Sequence, residues 1–298
     1  MKEIIVPQST AMGEPLAPFL KWAGGKRWFA NRCLHMVPGD FGRYIEPFLG
    51  SAAMYFALKP RRALLADLNT DLIECYRAIR SSPAEIVALL TQHHDRHCDE
   101  HYYATRAVKP VDPIERAVWL IYLNRTCWNG LFRVNRRNEF NVPIGTKTNV
   151  VLPTDDFWAM SQMLHPADIR NQDFETTLDA AERGDFVFVD PPYTVKHNLN
   201  GFLKYNDKIF SWADQIRLRD AVVRASDRGA MVLVTNANHQ SIREIYDGVG
   251  AYEVIQRASV LSASAAHRVR TEELAIRTWV AGSTSAIHEW VPKDDPRP

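Results

Sequence analysis

The sequence predicts an α/β fold, a doubly wound sheet of largely parallel strands with helices on both faces. Three observations lead to this prediction: short apolar runs without polar alternation, helix-like stretches between them, and an acidic residue at the end of several runs. The 298 residues are 46% hydrophobic and 24% charged, which provides a full core and excludes a disordered or collagen-like chain. The formal net charge of +1 favours no particular class of binding partner. Any positively charged binding site must therefore be a local feature of the surface.

The predicted strands are buried on both faces, because their apolar runs are continuous. Apolar residues recur at helical spacing in the stretches between them: Ser51 to Leu58, Leu72 to Ile79 and Asp214 to Ala225. This alternation of strand and helix predicts parallel pairing. The runs assigned to strands contain Tyr44-Ile45, Ala63 to Ala66, Phe186 to Val189, Met231 to Thr235, Tyr252 to Ile255 and Leu274 to Trp279.

Three of these runs end at acidic residues: Glu46, Asp67 and Asp190. In a doubly wound sheet, ligands bind beyond the carboxyl ends of the strands, near the point where the strand order reverses. We therefore expect the three carboxylates to gather there. Aspartate and glutamate also cap helices and turns, which would explain any one of them alone.

The alternation is interrupted between about Arg80 and Asp156, which predicts an insertion. We expect an N-terminal extension at 1–18, a main domain formed by 19–79 and 156–298, and a mostly helical inserted domain at 80–155. Residues 119–138 contain four arginines, four aromatic residues and no acidic residue. That pattern suits a nucleic-acid surface, although a solvated basic face over core aromatics explains it equally well.

The tetrapeptide Asp190-Pro191-Pro192-Tyr193 follows the apolar run Phe186 to Val189. Two consecutive prolines fix the backbone and remove two N–H donors, so this corner presents oxygen acceptors beside an aromatic ring. Such a site suits the exocyclic amine of a nucleobase, held by the Asp190 carboxylate and the Pro191 carbonyl while Tyr193 stacks on the extruded base. The alternative is a rigid proline turn with an aspartate cap.

With these motifs in order, the chain resembles the Dam-type N6-adenine DNA methyltransferases. The resemblance implies a Rossmann-like sheet that uses S-adenosylmethionine, with an inserted, mostly helical target-recognition domain. The main domain, 19–79 and 156–298, would then be the catalytic domain, and the insertion at 80–155 would carry a DNA-contacting hairpin. The resemblance extends from about Phe19 to Thr278. The segments that carry it are Phe19 to Lys26, Glu46 to Ser51, Ala66 to Asn69, Leu123 to Asn135, Glu139 to Pro143 and Asp190 to Tyr193.

The resemblance implies a cofactor pocket, with Asp67 placed to hold a ribose diol and Gly50 allowing close approach of the chain to the cofactor. The family usually has a second glycine where this chain has Ala52, so cofactor fit is expected to differ. The residues implied to bind cofactor are Trp22, Lys26, Glu46, Phe48, Gly50, Asp67, Asp173, Phe174 and Asp190.

The resemblance also implies a DNA-binding set, in which Arg133 reads a guanine edge and Trp128 fills or opens the base stack. These matches favour GATC as the target, although Thr146-Lys147 departs from relatives with that specificity. The residues implied to bind DNA are Lys21, Arg106, Arg125, Trp128, Asn129, Leu131, Arg133, Asn135 and Pro143.

The leading hypothesis is an enzyme that methylates adenine N6 in double-stranded DNA. It is expected in the cytoplasm of a prokaryotic cell, encoded by the cell or by a phage, with no membrane segment and no obligate protein partner. The alternatives are a methyltransferase acting on RNA or cytosine N4, and a DNA-binding module of the same fold with weak catalysis. No metal is expected, because the cysteines have no C-x-x-C pair and the histidine cluster lacks a completing carboxylate. The cluster is His93, His94, His97, Cys98 and His101.

Overall fold

The computed structural model describes residues 16–130, 132–135, 139–195, 210–258 and 270–279. Within them, seven strands form one sheet in the order β3-β2-β1-β4-β5-β7-β6. The first five strands of that order are parallel, and β7 runs antiparallel to both β5 and β6. The strands are β1 (Tyr44–Glu46), β2 (Ala63–Asp67), β3 (Ala167–Asn171), β4 (Phe186–Val189), β5 (Met231–Ala237), β6 (Ala251–Ala258) and β7 (Arg270–Arg277).

The α/β prediction is confirmed, and β4 shows why its apolar run is continuous. Phe186 and Phe188 belong to one hydrophobic cluster, whereas Val187 and Val189 belong to the other. Successive side chains of a strand point to opposite faces, so a strand covered on both sides needs apolar residues at every position.

Side chains that cap the backbone mark the starts of several helices in the described residues. Asn69 caps the third helix by accepting a hydrogen bond from the Leu72 backbone, and Ser211 and Asp214 form a reciprocal capping box on the ninth. The helices are α1 (Arg27–Arg32), α2 (Ala53–Leu58), α3 (Thr70–Ser81), α4 (Pro83–Asp95), α5 (Asp99–Ala107), α6 (Pro113–Thr126), α7 (Phe157–Leu164), α8 (Phe174–Asp179), α9 (Trp212–Asp227) and α10 (Gln240–Ile245).

The segment between α3 and α7 contains the helices α4, α5 and α6, and α6 packs on both α3 and α4. The domain boundaries at 80 and 155 stay a prediction. One strand was not predicted: β3 pairs with β2 at the edge of the sheet, and its burial alternates because only one face is fully covered. Its sequence, Ala-Asp-Ile-Arg-Asn, lacks the continuous apolar run that identifies the central strands.

In the part of the chain that the structure describes, no helix has both the length and the apolar character needed to span a bilayer.

Candidate active site and recognition hairpin

Three acidic side chains come from neighbouring strand ends. Glu46 is the last residue of β1, Asp67 is the last of β2, and Asp190 directly follows β4. Because β1 lies between β2 and β4 and all three are parallel, these ends share one edge of the sheet, where the strand order reverses. Burial raises the pKa of each carboxyl group, and the negative charges of Asp190 and Asp67 raise the pKa of Glu46 further.

Asp67 is held by the backbone of the loop after β1. Its Oδ2 accepts a hydrogen bond from the Gly50 amide at 3.1 Å, and its Oδ1 accepts one from the Asn69 amide at 2.9 Å. Gly50 has φ of +46°, and a Cβ added there would lie 3.0 Å from Cδ1 of Trp22. The structure thus brings Trp22, Gly50 and Asp67 together, and only glycine fits between the other two without strain.

Ala52 stands at the start of α2, where the family usually has its second glycine. Its backbone is left-handed, with φ of 53° and ψ of 31°, and its side chain is fully buried. An L-residue is strained in this conformation, whereas glycine adopts it freely. Glycine at position 52 would therefore be free of this strain.

The Asp190 carboxylate forms an ion pair with Lys26. Lys26 Nζ lies 2.6 Å from Oδ1 of Asp190, and the Thr235 hydroxyl donates to the same oxygen at 2.7 Å. The Lys26 side chain is 4% exposed and the Asp190 side chain 16% exposed. Asp190 thus remains open to a ligand on one side while its charge is partly balanced within the protein.

The proline corner is fixed from behind by two buried amides. Gln215 on α9 donates from Nε2 to the Pro192 carbonyl at 3.4 Å, and Asn236 on β5 donates to Gln215 Oε1 at 3.1 Å. Both amides are fully buried. This chain of contacts holds the backbone after Asp190 in place, as a rigid acceptor site requires.

Tyr193 is anchored through its hydroxyl group. It donates to Oε2 of Glu273 at 2.8 Å, and Nζ of Lys26 lies 4.9 Å from the centre of its ring. Sequence reasoning missed Glu273, because its approach depends on the antiparallel pairing of β7 with β5. Thr235 and Gln215 were also missed, because a threonine in an apolar strand and a glutamine on a helix carry no separate signal.

Aromatic side chains line the region beside Glu46. Phe48 stacks on Phe174 with ring centres 5.4 Å apart, and Phe210 packs edge-on against Phe48 at 5.7 Å. Asp173 caps α8 and pairs with Arg217 at 2.7 Å, and that guanidinium lies 4.4 Å from the centre of the Phe174 ring. The predicted residues Phe48, Asp173 and Phe174 therefore form one connected group.

The predicted recognition hairpin is present in the described residues. Val134 and Phe140 form an antiparallel bridge, and the Asn135 amide donates to the Glu139 carbonyl at 2.9 Å. The Asn135 side chain also donates to Glu139 Oε2 at 2.8 Å, which ties it to the hairpin itself. Arg133 is exposed, and its Nε donates to Asn141 Oδ1 at 3.2 Å. Among the described residues of this hairpin, Arg133 is therefore an arginine that is placed to meet a ligand.

A turn at Trp128–Gly130 lies beside the hairpin. Trp128 is 54% exposed, unusual for a large aromatic side chain, and its amide donates to the Pro143 carbonyl at 2.9 Å. Lys21 Nζ donates to the Asn129 carbonyl. Lys21, Trp128, Asn129 and Pro143 therefore lie together, as expected for a common surface.

Arg125 does not lie on that surface. Its guanidinium forms a two-pronged ion pair with Asp155, at 2.6 and 2.7 Å, and also donates to the carbonyls of Phe19 and Val150. The side chains of Arg125 and Asp155 are 5% and 8% exposed. In place of the expected DNA contact we propose a structural role for Arg125, because its guanidinium is paired inside the protein.

The other predicted contacts have mixed outcomes. Arg106 is half-buried, lies 4.8 Å from the centre of the Tyr103 ring and donates to the Val142 carbonyl at 3.1 Å. Leu131 lies outside the described residues.

The histidine cluster is held by contacts within the recognition segment. His93 Nδ1 and His101 Nε2 are 2.9 Å apart, and His97 Nδ1 lies 2.9 Å from the Tyr122 hydroxyl. Burial, followed by the charges of His101 and Arg96, lowers the pKa of His93 to about 4. Among the described residues, no group of three or more potential ligands is arranged to hold a metal ion.

Comparison with known families decides how this arrangement is classified. The sequence model of the D12 class N6 adenine-specific DNA methyltransferases matches residues 22–260. The chain belongs to this family. As a D12 class methyltransferase, it is an enzyme of the group that modifies adenine in DNA, and its acidic sheet edge, proline corner and hairpin all fall within the matched range.

Curated relatives of this D12 class methyltransferase agree with that assignment. The type II methyltransferase M1.LlaDCHI of Lactococcus lactis is 33% identical over 248 residues, covering 80% of this chain and 87% of the relative. The DNA adenine methylase of Haemophilus influenzae is 31% identical over 264 residues, covering 86% and 92%. That of Escherichia coli K12 is 30% identical over 261 residues, covering 86% and 93%.

Proposed function

We propose that this protein transfers a methyl group from S-adenosylmethionine to N6 of an adenine extruded from duplex DNA, and that its target is GATC. The observation that carries the proposal is the Asp190 carboxylate, held at a proline-stiffened corner at the reversal point of the sheet, with Tyr193 beside it. Family membership supports the reaction and its substrate class.

The residues beside the corner fit the proposed cofactor. Gly50 leaves a space that a Cβ would fill against Trp22, and Asp67 is oriented by two backbone amides. When bound, S-adenosylmethionine supplies a methyl group made electrophilic by a positively charged sulfur. The Asp190 carboxylate, which is 16% exposed, favours a cation nearby, because opposite charges attract strongly where water is largely excluded.

Asp190 and Pro191 hold the target amine in this proposal. Lys26 and Thr235 both contact Oδ1 of Asp190, so we assign Oδ2 and the Pro191 carbonyl as acceptors for the two N–H groups of adenine N6. Accepting both bonds leaves the nitrogen lone pair directed away from the protein oxygens. Alignment of reacting groups and the fixed charge of Asp190 then lower the barrier.

Arg133 supports recognition of a guanine in the major groove. It is exposed on a hairpin that also lies near the exposed Trp128 turn, and a two-pronged contact from arginine to guanine is the commonest specific contact of this kind. The assignment of GATC rests on the family resemblance of this segment.

The decisive experiment is to express the wild-type protein and Asp190→Ala in cells that lack DNA methylation, and to map modified bases across the genome. We expect N6-methyladenine at GATC with the wild type only, and a rate at least about 10²-fold lower for the variant. Methylated cytosine or modified RNA would contradict the assigned substrate.

Measured affinity for S-adenosylmethionine separates a weak enzyme from a DNA-binding module. The variant Ala52→Gly tests whether the strained alanine weakens that affinity.

A further inference from the structure

Glu273 lies beside the candidate active site although its strand, β7, is two strands away from β4, the strand that precedes Asp190. It sits on β7, opposite Ala237 at the end of β5. Because β7 is antiparallel, its beginning lies at the edge where the parallel strands end, beside Asp190. Glu273 is 3% exposed, and a buried carboxylate is retained only where partners balance it.

The first partner of Glu273 is Tyr193. The proline corner fixes the backbone of Tyr193, but its ring can still rotate about the side-chain bonds. The hydrogen bond from its hydroxyl group to Oε2 of Glu273, at 2.8 Å, fixes the far end of the ring. A ring tethered at both ends presents one face to an extruded base, at a lower entropic cost than a ring that must first be ordered.

The second partner of Glu273 is Lys26. Nζ of Lys26 lies 2.6 Å from Oδ1 of Asp190 and 3.6 Å from Oε2 of Glu273, so the ammonium group lies between two carboxylates. While Lys26 pairs with Oδ1 of Asp190, its positive charge weakens Oδ2 as an acceptor for the target amine. A displacement of about 1 Å toward Glu273 would strengthen the second ion pair and loosen the first, with the charge of Lys26 still balanced.

We propose that Glu273 is a positioning residue for methyl transfer, which fixes the ring of Tyr193 against the extruded base and receives Lys26 when the target amine engages Asp190. The inference rests on the proposed function, since it assigns a role within the same site. Glu273 contacts neither the amine nor the methyl group in this role; it acts through Tyr193 and Lys26.

Three variants separate the two roles. Tyr193→Phe removes the hydroxyl group, and with it the tether to Glu273 and the contact with Thr235, but leaves the charge of Glu273 in place. Glu273→Gln keeps an oxygen acceptor for the Tyr193 hydroxyl but removes the negative charge that receives Lys26. Glu273→Ala removes both. Each is assayed by single-turnover methylation of a duplex carrying the sequence mapped for the wild type, and by the fluorescence of 2-aminopurine in place of the target adenine.

We expect Tyr193→Phe to lower the single-turnover rate about tenfold, which corresponds to one hydrogen bond to a charged group. Tyr193→Phe and Glu273→Ala should change the 2-aminopurine signal in the same direction, because both break the contact between the ring and Glu273. Glu273→Gln should retain the wild-type signal yet still react about tenfold more slowly. Glu273→Ala should be the slowest, with the loss in the maximal single-turnover rate rather than in the DNA concentration at which half of that rate is reached.

A wild-type rate for Glu273→Ala would overturn the inference, and so would a signal for Glu273→Gln that matches Glu273→Ala. Thermal unfolding of each variant checks folding; if Glu273→Ala does not fold, Glu273→Gln and Tyr193→Phe still decide between the two roles. If the wild type methylates no DNA, the proposed function fails instead, so the two failures are distinguishable.

Discussion

The sequence resemblance implies that Arg125 contacts DNA, whereas its burial against Asp155 indicates a structural role. Replacing Arg125 distinguishes the two. Its guanidinium makes a two-pronged ion pair with Asp155 and reaches the carbonyls of Phe19 and Val150, all inside the protein. We therefore expect Arg125→Lys to destabilise the fold, because a single ammonium group cannot replace a planar fork.

The magnitude follows from what the substitution leaves behind. Breaking a buried ion pair by removing one partner costs about 3–5 kcal/mol, since the other charge stays buried. Asp155 keeps a hydrogen bond from the Leu152 amide at 2.8 Å, which places Arg125→Ala toward the lower part of that range. For a chain of this size the loss corresponds to a fall in Tm of roughly 5–6 °C, and Arg125→Lys should show part of that fall.

The assay combines thermal and urea unfolding with DNA binding at several salt concentrations. Asp155→Asn is the matched variant on the other side of the ion pair. If the pair is structural, this substitution should lower the free energy of unfolding by an amount comparable to that lost in the Arg125 variant, even though it removes a negative charge and not a positive one. Arg133→Ala is the control: an exposed side chain should change stability by less than about 0.5 kcal/mol and instead relax base discrimination by about 1–3 kcal/mol. A stable Arg125 variant whose salt-dependence slope falls by about 0.9, as for one lost phosphate contact, would refute the structural role.

Three further outcomes follow from the geometry. Lys59→Gly should raise Tm by roughly 1–3 °C, because this exposed residue ends α2 at φ of 49° where glycine is unstrained; an unchanged or lower Tm in calorimetry would count against it. Burial raises the pKa of Glu46, so the folded state retains a proton that the unfolded chain releases, and stability falls as pH rises above about 4.3. Glu46→Gln should therefore flatten the decline in urea midpoint between pH 5 and pH 8, and an equally steep decline would show that this carboxyl is not responsible. Gly50→Ala should cost about 1–2 kcal/mol of stability and weaken cofactor binding in titration calorimetry, because its Cβ would lie 3.0 Å from Trp22 Cδ1; wild-type values for both would contradict the close approach.

The central part of the fold could be predicted from sequence because burial on both faces leaves a local trace. The runs at Phe186 to Val189 and Ala63 to Ala66 are apolar at every position, and the structure places both in the middle of the sheet. β3 leaves no such trace, because Asp168 and Arg170 point away from the core at the sheet edge. An edge strand with one covered face has too few apolar residues to be identified without its partner.

In the candidate site, too, residues within a local motif could be predicted from the sequence, whereas residues brought in by tertiary pairing could not. Asp190 and Tyr193 were predicted because their motif is contiguous and follows a strand. Glu273 was not, since only the pairing of β7 with β5 brings it to Tyr193. Arg125 shows the converse: the sequence reveals a positive charge in a basic segment, whereas burial against Asp155 is a property of the folded chain.

The contact between Trp22 and Phe132 joins the two halves of the site. Their rings stack with centres 5.5 Å apart, and the buried amide of Asn124 links the backbone of Lys21 to that of Gly130. A ligand that orders the loop of Trp22 also orders the segment that leads to Arg133, and the entropy lost in the first binding event is not lost again in the second. We therefore expect cooperativity between cofactor and DNA, and thermodynamic linkage requires each to raise the affinity for the other by the same factor.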